Sequence, residues 1–143
     1  MKKLRMLVAA VVGVVAIGAA PASASSAPIV IPYEKTCNEL TGHCEGNANG
    51  VTIVMQVDPT TFRATGNARQ FTLTESITVG DISFTAEMSG HVSPAGFIVL
   101  NGTVTEGSFA GAKVHQRSNF DPEHSTGSTT AWTGELRLMP ASG

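Results

Sequence analysis

Phe71-Thr72-Leu73-Thr74-Glu75-Ser76-Ile77-Thr78-Val79-Gly80-Asp81-Ile82-Ser83-Phe84-Thr85-Ala86-Glu87-Met88 carries the clearest structural pattern in the chain. Phe71, Leu73, Ile77 and Val79 alternate with threonines and a serine. After Gly80-Asp81 the same period of two resumes with Ile82, Phe84, Ala86 and Met88. Side chains of a strand point alternately to its two faces, so this is the pattern of two half-buried strands. A two-residue Gly-Asp connection between them specifies a hairpin.

The period of two extends in both directions. Upstream, Val51, Ile53, Met55 and Val57 share one face, and Asp58-Pro59 ends that strand. Phe62 to Thr65 is a short segment that stops at Gly66-Asn67. Downstream, Ser93 to Gly96 forms a turn and Phe97 to Leu100 is apolar on both faces, as in a strand that is central or covered on both sides. Asn101-Gly102 reads either as a hairpin loop or as a glycine kink inside one strand running to Thr105. Gly107 to Gly111 turns into a strand over 112–119, and Asp121 to Thr126 reads as a polar loop. Trp132, Gly134, Leu136 and Leu138 then alternate with polar residues in a last strand. No apolar i, i+3, i+4 run survives the density of Gly, Thr and β-branched residues. The expectation is an all-β domain, a small antiparallel β-barrel, with a β-sandwich as the alternative.

The N-terminus reads as an address. Lys2, Lys3 and Arg5 precede an apolar run from Leu7 to Ala20, and Ala22-Ser23-Ala24 has the small-residue form of a cleavage site. The expected organisation is a cleaved signal peptide over 1–24, an extended arm and disulfide loop over 25–50, the antiparallel β domain over 51–139, and a tail over 140–143. The arm is Pro-punctuated at Pro28 and Pro32, with Ile29 to Ile31 as a short edge strand. Cys37 and Cys44 meet an oxidising compartment after export, so they are expected to pair. Closing so short a loop stabilises by about 2–2.5 kcal/mol in the chain-entropy model. Localisation is therefore expected to be secreted or extracellular.

Charge narrows the partners. Beyond residue 24 six Lys and Arg face eleven Asp and Glu, a net charge of −5. A sparsely charged acidic chain lacks the electrostatic footprint for nucleic acid or anionic lipid. No later segment is apolar enough to span a membrane. The expected partner is a small molecule or an extracellular macromolecule, and the expected state is a monomer or weak dimer. No phosphate loop, zincin motif or nucleophile elbow occurs, and no cofactor or metal is expected. Cys37, His43 and Cys44 match no zinc spacing. Asp121, Glu123 and His124 lie close enough in sequence to hold a divalent ion only if their loop folds back on itself.

Glu75 falls at core parity between Leu73 and Ile77. Either a bulge or rim position returns it to solvent, or it is an interior carboxylate that must find a partner or a proton. Gln116 and Ser118 share parity with Ala112 and Val114. If that face is inward, Glu75, Gln116 and Ser118 form the ligand-binding set. In the opposite register Lys113, His115 and Arg117 point inward, and Glu75 with His115 or Arg117 becomes a candidate acid–base set for a cavity enzyme of isomerase, cyclase or hydrolase type. Glu87 and His91 share a polar face. Trp132 reads as a core anchor or an exposed carbohydrate platform.

Gly107-Ser108-Phe109-Ala110-Gly111-Ala112 resembles the Gly-x-Phe-x-Gly-Ala turn of small exported bacterial β-proteins of uncharacterised function. It is also similar to the glycine-rich turn that enters a strand in allene oxide cyclase and dirigent-type barrels. That resemblance implies an eight-stranded barrel with a central cavity for an apolar ligand, and it carries over no catalytic residue. The leading expectation is a secreted, non-enzymatic binding protein that holds a ligand in a barrel mouth or meets a macromolecule through its loops. The cavity enzyme is one alternative. A secreted inhibitor or surface-interaction protein acting through loops such as Asp121 to Thr126 is the other.

Overall fold

The computed structural model describes residues 27–65 and 70–140. The expected signal peptide, the Gly66-Asn67 turn and residues 141–143 lie outside the described residues. The chain forms β1 (Ile29–Asn38), β2 (His43–Ala48), β3 (Val51–Val57), β4 (Arg63–Thr65), β5 (Gln70–Val79), β6 (Ile82–Val92), β7 (Phe97–Gly107), β8 (Lys113–Thr126) and β9 (Thr129–Met139). Every pairing is antiparallel. Strand neighbours follow chain order, β9 returns to β1, and β3 pairs with β5 to shut the sheet. The result is a closed eight-stranded up-and-down barrel with β4 as one extra strand. Closure leaves the eight staves without a long free edge, the liability of any open sheet.

The Gly80-Asp81 hairpin forms as the alternation predicts, with Val79 opposite Ile82 and Leu73 opposite Met88. β3 and β4 share the same side of β5. β3 pairs with Glu75 to Val79 and β4 with Gln70 to Thr72, so the loop over 58–62 interrupts one line of pairing. Asn101-Gly102 is not a turn: β7 runs straight through it. Glycine is required there because a Cβ on Gly102 would stand 1.9 Å from the Glu87 carbonyl oxygen of β6.

Three expectations need correction. Residues 29–38 are not an arm with a short edge strand but a full stave between β2 and β9, and residues 43–48 are the next stave. Pro32 is accommodated because β1 pairs with β2 only from Glu34 onward, so one side of its backbone has no ladder to interrupt. The disulfide is accordingly not in a loop ahead of the sheet. Cys37 and Cys44 are directly opposed across β1 and β2, and their bond staples two barrel staves. Asp121 to Thr126 is likewise no loop but the outer part of β8. There the register shifts between Asp121 and Thr126, which accommodates Pro122 before the Gly127-Ser128 turn.

Phe97 to Leu100 also differs from expectation. Leu100 is buried inside, but Phe97 and Val99 are only half-buried on the outer face. What covers Phe97 is the Arg117 guanidinium, 4.9 Å from its ring centre, and no second layer of sheet.

The two ends of the barrel differ. The turns at 49–50 and 80–81 and the loop at 108–112 lie at one end. There the interior is filled by Ile31, Ile53, Ile77, Leu136 and Leu138, each no more than 1% exposed. Phe109, from the Gly107–Gly111 turn, packs on this core. The connections at 39–42, 58–62, 93–96 and 127–128 surround the other end, and there the interior opens.

Candidate functional site: a barrel mouth with a polar floor

The open end holds a cavity of about 640 Å³. Its walls include Leu73, Val92, Ile98, Leu100 and Trp132, and the cross-strand disulfide lies in the same wall. Eight strands enclose a space that either fills with side chains or takes one small ligand. This barrel does the first at one end and the second at the other. Leu40, 82% exposed, and the exposed Phe62 and Phe120 stand around the entrance. Trp132 is half-buried in the wall, edge-on to Phe120 at 5.3 Å, with its indole nitrogen donating to Thr130 Oγ1 at 2.8 Å.

Where the cavity meets the apolar core, polar side chains converge. Glu75 and Gln116 are each 2% exposed, Ser118 is equally buried, and Lys35 is 8% exposed; all four line the cavity. Gln116 is the hub. Its amide nitrogen donates to Glu75 Oε1 at 2.9 Å, and its oxygen accepts from Lys35 Nζ at 3.2 Å and from the Tyr33 hydroxyl at 3.3 Å, the amide orientation that these partners require. Lys35 and Glu75 make no direct ion pair: the Gln116 amide stands between them. Lys35 Nζ also lies 3.2 Å from the Met55 thioether, a weak acceptor. The Tyr33 hydroxyl shares a 2.5 Å hydrogen bond with Ser118 Oγ.

The backbone explains how Tyr33 of β1 reaches Ser118 of β8 across an intervening strand. Both residues pair with Gly134 of β9. With no side chain at that point, the phenol crosses β9 unobstructed. Any Cβ there would stand 1.9 Å from the Arg117 carbonyl oxygen.

Burial sets the electrostatics. It pushes the Glu75 carboxyl above the usual carboxylate range, and the charge of Lys35 pulls the other way. It pushes Lys35 below the usual amine range, opposed by Glu75 and Glu39. It also raises the Tyr33 phenol, opposed by the hydrogen bond from Ser118. Both members of the Lys35–Glu75 pair are thus driven toward their neutral forms.

A pH dependence follows by linkage. Glu75 binds its proton more tightly folded than unfolded. The stability this gives is complete below the ordinary carboxylate pKa and is lost as pH rises through the folded value. Lys35 holds its proton less tightly folded. Its contribution is complete above the unfolded amine pKa and is lost as pH falls through the folded value. Urea unfolding between about pH 4 and 10 is expected to show Glu75→Gln losing the fall in stability on the acid side and Lys35→Met losing the recovery on the alkaline side. Variants that parallel the wild type across the whole range would contradict this assignment.

The structure brings Glu75, Gln116 and Ser118 together inside and places His115 and Arg117 outside. Glu75 is not at a rim, and no bulge turns it out. The inward register of His115 and Arg117 is not adopted: His115 bonds Asn101 at 2.6 Å on the outer face and Arg117 lies on Phe97. The reason is parity, since Val114 takes the core position and its neighbours face out. Glu87 and His91 are exposed. Asp121, Glu123 and His124 offer ligand atoms within 4.8 Å of one another, but His124 Nδ1 already pairs with Asp121 Oδ2 at 2.7 Å.

Sequence reasoning missed Lys35 and Tyr33. The signal was present: Ile29, Ile31, Tyr33, Lys35 and Cys37 occupy alternate positions, all buried in the structure. Pro28 and Pro32 obscured it by suggesting an irregular arm.

No protein-family model matches this chain, and neither a curated protein nor a solved structure matches it. The likeness of Gly107–Ala112 to allene oxide cyclase and dirigent-type barrels therefore rests on those six residues. Among the described residues no helix is long and apolar enough to cross a membrane. The disulfide fits an oxidising environment.

Proposed function

We propose that this protein is an exported, non-enzymatic carrier. It holds one small, mainly apolar molecule in the barrel mouth, with the ligand's polar group resting on the Lys35–Gln116–Glu75 floor. The observation that carries this reading is the one-ended cavity of about 640 Å³, which ends on a buried, hydrogen-bonded polar cluster. Small-molecule sites typically span about 300–1,000 Å³, with apolar walls and few polar groups. Exposed Leu40, Phe62 and Phe120 at the entrance give an apolar ligand a path out of water. The floor presents donors and acceptors whose charges are suppressed by burial, which suits a neutral head group such as a hydroxyl or carbonyl.

The test is direct. Protein purified from its own host and examined by native mass spectrometry is expected to carry a small molecule. The stripped protein is expected to bind the neutral fluorophore N-phenyl-1-naphthylamine at a single site, with decanol displacing it. No saturable binding of either probe would reject the carrier reading.

A further inference from the structure

We propose that Lys35 is a covalent anchoring site: its Nζ forms an imine with an apolar aldehyde that enters the barrel mouth. This rests on the carrier reading and narrows its ligand class to carbonyl compounds.

Lys35 has no carboxylate in direct contact with its Nζ. A buried ammonium normally survives by pairing with a carboxylate and by giving its hydrogens to strong acceptors. Lys35 Nζ instead has the Gln116 amide oxygen at 3.2 Å and the Met55 sulfur at 3.2 Å, neither of them charged. The aromatic face of Tyr33, 5.2 Å away, adds only a weak attraction. The surroundings thus tolerate a free amine better than a cation, and an uncharged amine is the nucleophile that attacks a carbonyl. The burial-driven lowering of its proton affinity points the same way.

Lys35 also lines the cavity, so a molecule that fills the mouth comes to rest against this side chain. The walls above it are apolar, which selects a hydrocarbon chain and limits the water that would hydrolyse the product. Glu75 lies on the other side of the Gln116 amide and is held toward its protonated form by burial. It is the acid at hand for the step that needs one.

The chemistry balances without a further reagent. The nitrogen lone pair adds to the aldehyde carbon, the C=O π pair moves to oxygen, and one N–H proton passes to that oxygen to give a carbinolamine. The Glu75 carboxyl protonates the carbinolamine hydroxyl, and the C–O bond breaks to release water. The nitrogen's remaining proton then returns to the Glu75 carboxylate through the released water, because the Gln116 amide separates the two side chains. One aldehyde and one amine become one imine and one water, with Glu75 regenerated.

Beyond residue 24 the chain has only one other lysine, the exposed Lys113 on the outer face of β8. It is an internal control. The full-length mature protein is incubated with decanal and sodium cyanoborohydride at neutral pH, and the reduced product is mapped by peptide mass spectrometry. One decyl group on Lys35, with Lys113 unmodified under the same conditions, is expected. Decanol, which has the same chain but no carbonyl, should compete. Glu75→Gln is expected to slow trapping by about 100-fold. Lys35→Met is expected to abolish trapping in the barrel.

Labelling of Lys113 as fast as Lys35, or no label on Lys35 in a protein that binds decanol, overturns the covalent proposal and leaves the carrier reading standing. Failure to bind decanol at all removes both. Because the mapping is done on the wild-type chain, the result does not depend on whether a variant folds.

Discussion

Gln116→Leu is expected to lower the stability of the barrel by about 3 kcal/mol, a shift of about 1–2 M in the urea midpoint. Leucine nearly fills the same space, so the loss does not come from a cavity. It comes from the partners: without the amide, Glu75 loses its donor and Lys35 keeps only the Met55 thioether. Leaving a buried polar group without its hydrogen bond costs about 1–3 kcal/mol, and here two are stranded together. Tyr33 is spared, because its hydroxyl retains Ser118.

Replacing the whole bridge by apolar groups, as Lys35→Met, Glu75→Leu and Gln116→Leu together, is expected to recover the loss and to match or exceed the wild type. The single variant must therefore lie below the wild type and the triple variant at or above it. If Gln116→Leu unfolds within about 0.5 kcal/mol of the wild type, the amide is not the hub described above. If the triple variant is less stable than the wild type, the polar floor contributes net stability and is not retained for binding alone.

Ile98→Trp is expected to weaken N-phenyl-1-naphthylamine binding by about 100-fold, near 2.7 kcal/mol, while leaving the fold intact. Ile98 is only partly buried, sits in the cavity wall opposite Ser118 in the ladder, and has open space in front of it. An indole there occupies volume that a ligand would use and separates the entrance from the polar floor. Losing about 100 Å² of apolar contact at about 25 cal/mol per Å² gives an effect of this size. A fluorescence titration beside a urea melt separates the two contributions. Undiminished affinity in a folded Ile98→Trp protein would place the ligand somewhere other than this mouth.

Trapping at Lys35 ties these results to chemistry. Gln116 positions the amine and the carboxyl on either side of one amide, so it is a positioning residue and not a reacting one. In Gln116→Leu the reductive trapping of decanal is expected to fall even where the protein remains folded.

How much of this was legible in the chain depends on the signal each residue carries. Glu75, Gln116 and Ser118 could be named because each breaks an apolar alternation at core parity. Their convergence was only one of two registers, since parity within a single strand does not say which face is inward. Lys35 obeys the same rule between Tyr33 and Cys37, but the prolines flanking Ile29 to Ile31 suggested an irregular arm. Whether Pro32 breaks a strand depends on whether a ladder partner lies on both sides of it. That is a property of the neighbouring strand β2, which begins pairing only at Glu34. Asp121 to Thr126 misled for a related reason: polar, Pro-containing sequence reads as loop, yet a register shift lets it extend a hairpin.

Legible from the chain alone were the all-β class, the site of its best hairpin turn, Cys37 and Cys44 as the pair available to bond, and the polar residues that break the apolar alternation. These follow from local rules: a period of two, turn glycines and cysteine count. Long-range pairing alone sets the closure of the sheet, the role of β1 as a stave, the filled and open ends, and the meeting of Lys35, Gln116, Glu75 and Tyr33. Closure brings β9 back to β1 and β3 against β5, and these contacts join residues far apart in the chain. No local pattern encodes such a meeting, because it depends on the curvature and register of eight strands at once.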